Sequence, residues 1–252
     1  MTIAALTLRQ YTRSRTLLVV AVICLIPILF AILPHFPTGY DRDIELLWLI
    51  SDDIYLGLFA STLLPLATLV LATAALGNEI EDKTLHYLAL KPVSRFRIVF
   101  EKWLSVVALT TAIVWTSLAV IWVVAAWGHF EVLDSLIPPL FVSSLVGILG
   151  FGSLFLFLSL VINRALLFGV FYVFIWETTL SRFLPGIRSI SISHYTRSTF
   201  VRMLDDWVDE RMARTVTIDG PSSAQTIFIA IALVVIVSLA LATWRMRSMA
   251  ID

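Results

Sequence analysis

Residues 103–127 read WLSVVALTTAIVWTSLAVIWVVAAW, a run without a single charge. Wound as a helix it is about 37 Å long, enough to cross roughly 30 Å of bilayer hydrocarbon. Its apolar residues run on continuously instead of alternating, which excludes a barrel strand and leaves a helix as the form that satisfies the backbone in lipid. Outward from this stretch, comparable runs lie at 16–33, 54–76, 139–162, 165–184 and 224–244. The run at 165–184 is the weakest, being interrupted by Glu177.

Composition points the same way. Hydrophobic residues make up 59% of the 252 positions and charged residues 14%, against about 45–50% and 25% in soluble proteins. One core cannot bury so many apolar side chains, so the excess faces lipid. The 18 basic and 18 acidic residues cancel, which excludes the general basic surface of a nucleic-acid-binding protein. Cys24 is the sole cysteine, so an intrachain disulfide and a cysteine metal cluster are excluded. The expected fold is all-α and integral to the membrane: six transmembrane helices forming one domain over 1–252.

Basic residues set the expected direction. Arg9, Arg13, Arg15, Lys83, Lys91, Arg95, Arg97, Lys102, Arg164, Arg245 and Arg247 fall on one side, eleven against seven on the other. Six of those seven sit in the long loop 185–223 and its approach, where the positive-inside rule acts weakly. Both termini are therefore expected in the cytoplasm and the chain in the cell membrane. Before the first run, Ile3, Leu6, Leu8 and Tyr11 alternate with Arg9 and Arg13, the pattern of an amphipathic interfacial helix. The run that follows is long and lacks a small-residue cleavage site, so it reads as a retained span.

Between the second and third runs, residues 77–105 read GNEIEDKTLHYLALKPVSRFRIVFEKWLS. Charge arrives abruptly at Glu79, Glu81, Asp82 and Lys83. Leu85, Leu88 and Leu90 then make a short amphipathic stretch, with Thr84 placed to cap it and Pro92 to end it. Ser94 is placed to cap the next helix, which starts at Arg95 and runs into the third span. A short stiff helix held between two spans is a mechanical handle.

This ordered pattern of Glu79, Glu81, Lys83-Thr84-Leu85, Leu88, Pro92-Val93-Ser94-Arg95 and Lys102 resembles the permease subunits of type-2 ATP-binding-cassette exporters. The family commonly has glycine before the threonine, where this chain has Lys83. Six spans, cytoplasmic ends and an outer loop before the last span agree with it, and residues 174–177 (FIWE) look like the end of the fifth span in one branch. The resemblance implies that Glu79, Glu81, Lys83, Thr84, Leu85, Leu88, Pro92, Ser94 and Arg95 form a cytoplasmic coupling helix seated on a separate ATPase. It also implies two ATPases and two permease chains, most simply a homodimer. ATP and magnesium would be held by the ATPase, because this chain has no G-x-x-x-x-G-K-[ST] phosphate cradle and no cofactor of its own.

Glu177 stands in apolar surroundings near the outer end of the fifth run. A carboxylate there is a few kcal/mol unfavourable unless paired or wetted, which makes it a gate residue or half of a structural ion pair with Arg182 or Arg188. Lys102 and Glu101 are placed to snorkel to the inner interface. Ser143 and Gly147 have the small-xxx-small spacing of close helix contact. In the outer loop, Phe200, Met203, Leu204, Trp207, Val208 and Met212 recur at helical spacing, predicting a helix over 199–214 that lies on the outer leaflet or lids a path. Asp41, Asp43, Glu45, Asp52 and Asp53 make an acidic first outer loop without an EF-hand pattern, so it reads as a solvated face. His35, His86, His129 and His194 are scattered and form no H-E-x-x-H, so neither a catalytic nor a metal site is expected. The rival reading is an ATPase-driven assembly or mechanotransmission module that carries nothing across. An ion-coupled carrier fits poorly, since it needs ionisable groups deep in several spans.

Overall fold

The structure, a computed structural model, describes residues 15–32, 46–81, 94–127, 130–162, 164–180, 189–204 and 221–248. Every regular element among them is helical. The first apolar helix is broken into α1 (Arg15–Leu25) and α2 (Pro27–Ala31). Pro27 has no N–H for the Ile23 carbonyl, which instead accepts from Ile26 N at 3.2 Å. The second carries a wide, π-helical stretch, Leu49–Leu63, near its start and narrows into α3 (Leu64–Glu81). The change falls at Pro65, whose ring would clash with the Ser61 carbonyl in an ordinary α-turn.

The third helix, α4 (Arg95–Ala125), starts at Ser94, whose hydroxyl accepts from Arg97 N at 3.4 Å. A short connection through α5 (Phe130–Leu133) is pinned by Trp122 Nε1 donating to the Leu133 carbonyl at 2.8 Å. It leads into α6 (Ile137–Val161), with prolines in its first turn, where no intrahelical N–H is needed. α7 (Ala165–Phe171) passes into a second wide stretch, Tyr172–Leu180. Then come α8 (Ile192–Met203) and α9 (Ala224–Ser248).

Among the described residues, four helices are long and apolar enough to cross a bilayer: Leu46–Ala75, Arg95–Ala125, Asp134–Val161 and Ala224–Ser248. Thr16–Ala31 and Ala165–Glu177 are apolar but shorter. α3 and α6 form the centre. They run parallel, with Leu64 against Gly147 and Thr68 against Gly152, while α4 runs antiparallel to α6, with Val106 near Gly152 and Trp115 against Phe141. α9 lies beside α6 with Ile231 near Gly150, and turns Phe228, Ile229, Leu233 and Ile236 outward as an apolar, lipid-suited face. These directions bring Arg95 and Arg97, at the start of α4, and Arg164, just past the end of α6, to one end, the basic end of the bundle.

Three expectations need correction. The second helix begins at Leu46, so Asp52 and Asp53 are helical and not part of a loop. The outer-loop helix lies earlier than apolar periodicity placed it, at Ile192–Met203, and is buried along most of its length. Phe200 is fully buried and Met203 is exposed, so the apolar face they share leaves the core within one turn. Residues 205–214 of the expected helix, and the expected amino-terminal interfacial helix up to residue 14, lie outside the described residues.

α8 is admitted by glycine. It runs antiparallel to α6, with Ile192 beside Gly150 and Thr196 beside Gly147. A Cβ at Gly150 would stand 2.7 Å from Ile192 Cγ2, whereas one at Gly152 would have its nearest neighbour at 3.7 Å. Gly150→Ala is therefore expected to destabilise the fold by about 1–3 kcal/mol and Gly152→Ala to be nearly neutral. Thermal unfolding of the two purified variants in detergent checks this; equal melting temperatures would contradict the packing.

Candidate coupling segment and a buried carboxylate

The segment 79–95 leaves the bundle at the basic end. Glu79 and Glu81 stand in the last turn of α3. Lys83, Thr84, Leu85, Leu88 and Pro92 lie outside the described residues. The chain returns at Ser94, the cap of α4, and Arg95, its first residue. Arg97 Nε pairs with Glu101 Oε1 at 2.8 Å across one turn, a contact worth about 0.3–0.5 kcal/mol at such a surface. One guanidinium nitrogen of Arg95 is buried and has no hydrogen-bond partner among the described residues.

Lys102 does not snorkel. Its side chain is 2% exposed, and Nζ donates to the Ala75 carbonyl of α3 at 2.9 Å. Because Val106 lies beside Gly152, Lys102 sits about one turn closer to the basic end, just inside the end of α6. The ammonium thus bridges the helix that enters the segment and the helix that leaves it.

A second buried charge lies far from this end. Glu177 is 2% exposed. Its Oε1 accepts from Tyr172 Oη at 2.8 Å and from Ile192 N at 3.1 Å. Its Oε2 accepts from Ser191 Oγ at 2.5 Å and from Ser193 N at 3.1 Å. Each oxygen therefore meets one hydroxyl and one backbone amide, and the carboxylate faces the amino terminus of α8, where the helix dipole favours negative charge. Ser191 caps the same helix by accepting from His194 N at 3.2 Å.

The site is deep. Ile192 packs on Gly150, about 20 Å along α6 from Ile137 and about 17 Å from Val161. α8 thus starts at the half-length of α6 and climbs away from the basic end, its Phe200 ring 4.7 Å from that of Tyr55. The expectation of a shallow Glu177 is corrected accordingly, and its partners include Tyr172, Ser191 and the amides of Ile192 and Ser193. Arg182 and Arg188 lie outside the described residues. The sequence held one faint signal for this arrangement: Ser191 opens a hydroxyl-rich helical stretch, as an N-cap would. The Tyr172–Glu177 contact spans five residues and suits wide turns, so a search at α-helical spacing passes over it.

Comparison with known proteins bears on the whole assembly. The family model of the ABC-2 family transporter protein matches residues 11–180, two-thirds of the chain, from before α1 to the end of the second wide stretch. The chain belongs to the ABC-2 transporter family. No curated protein sequence matches it. As an ABC-2 protein it is a membrane-embedded transporter component. The match covers segment 79–95, Lys102 and Glu177, and ends before α8. Its own pattern of glutamates, proline and arginine thus belongs to the region the family shares.

Proposed function

We propose that the chain is the permease subunit of an ABC exporter: six spans, both termini cytoplasmic in the cell membrane, two copies enclosing a path driven by two separate ATPase subunits. Segment 79–95 is the coupling element. Glu79, Glu81, Lys83, Thr84, Leu85 and Leu88 would seat in the ATPase, with Pro92 ending the seated helix and Ser94 and Arg95 starting the next. ATP and magnesium stay with the ATPase.

The observation that carries this reading, beside family membership, is the Lys102 bridge. A push on the segment cannot move α4 without α3, because the ammonium joins them just behind the segment.

The test is Mg-ATP hydrolysis recovered with affinity-tagged chain purified from its native membrane. Arg95→Glu is expected to lower the recovered hydrolysis by about tenfold or more while the chain still inserts, as loss of one charge-assisted contact at a docking site does. Undiminished hydrolysis with Arg95→Glu would remove the segment from the coupling role, and no hydrolysis with the native chain would remove the ATPase.

A further inference from the structure

α8 is a polar helix in a poor place for one. Ser193, Thr196, Ser198 and Thr199 are all buried, and its start lies at mid-depth beside Gly150. Its close packing is on α6, α9 and the stretch Leu49–Leu63. What joins it to the fifth apolar helix is the carboxylate of Glu177, gripping Ser191, Ile192 and Ser193. Ser191 already caps α8 from within, so Glu177 does more than finish the helix.

We propose that Glu177 is a positioning residue that fastens the buried start of α8 to the fifth apolar helix, so that the two behave as one rigid body. The use of that body in opening a path rests on the transport reading above; the fastening itself does not.

Both carboxylate oxygens are needed as acceptors. Oε1 receives the Ile192 amide and Oε2 the Ser193 amide. A glutamine, whichever way it is turned, aims its NH2 at one of them. The two hydroxyls can rotate to accept from it; a backbone N–H cannot.

The test separates fastening from capping. Spin labels go on the exposed positions Phe171→Cys in α7 and Met203→Cys in α8, with the buried Cys24→Ala, in the full chain in lipid nanodiscs. Glu177→Gln is expected to speed amide exchange at 192–196 by about tenfold or more and to broaden the label distance distribution. Adding Ser191→Asp supplies a carboxylate from α8's own cap, able to serve the Ser193 and His194 amides. The double variant E177Q/S191D is expected to regain native amide protection yet keep the broad distances. Native distances in the double variant would reduce Glu177 to a cap, and native exchange and distances in E177Q would overturn the proposal outright. Neither measurement needs an ATPase, so absence of ATP hydrolysis would count against the proposed function alone.

Discussion

Lys102→Glu is expected to yield a chain that no longer accumulates as a folded membrane protein, whereas Lys102→Met still folds. The ammonium is almost fully buried and points at a carbonyl oxygen of α3. Glutamate sets acceptor against acceptor and leaves an unpaired charge where water is scarce, a loss of about 3–5 kcal/mol. That is comparable with the whole stability of many domains. Methionine fills similar space and forfeits the charge-assisted hydrogen bond to the Ala75 carbonyl, about 1.5–3 kcal/mol. Yield in the membrane fraction and monodispersity in mild detergent measure both. A Lys102→Glu chain as abundant and as heat-resistant as the native one would show that the side chain reaches water after all.

Phe200→Ala has the second large effect, at the far end of the same bundle. Phe200 is fully buried against Tyr55. The Tyr55 hydroxyl is in turn 2.5 Å from Ser143 Oγ and donates to the Leu140 carbonyl at 3.3 Å. Emptying the ring's space removes its dispersion contacts and leaves a cavity, a loss of about 3–5 kcal/mol in tightly packed cores. The climbing end of α8 should detach first, read as faster amide exchange around 198–203. Tyr55→Phe removes the hydroxyl and keeps the packing, so its effect is nearer 1 kcal/mol. If Phe200→Ala exchanged like the native chain at those amides, the contact would not be holding α8.

The parts that sequence made legible are those encoded locally. A charge-free run reports its own length, and Ser94 reports a helix start because a cap acts within three residues. The long helices and the start of α4 could thus be read directly. Lys102 could be seen as a basic residue but not as a bridge, because its acceptor is a backbone carbonyl, and every residue carries one. Glu177 was visible as an intramembrane carboxylate, yet its partners include two amides beyond a loop. α8 misled for a further reason. Its buried face is made of serines and threonines, so hydrophobic periodicity shifted the expected helix towards 199–214. Asp52 misled as well: the helix that holds it starts earlier, at Leu46, because a helix tolerates a carboxylate in its first turns without any change in the apolar pattern that follows.

The two broad windings, Leu49–Leu63 and Tyr172–Leu180, touch each other near the mid-membrane anchor. Removing one residue from a regular helix such as Arg95–Ala125 spins everything beyond the cut by about 100°. A broad winding carries slack: it can tighten by a residue and leave the flanking faces aimed as before. Deleting a single residue within either window is therefore expected to leave the rest of the bundle in place, where the same deletion within Arg95–Ala125 would turn half a helix away from its neighbours.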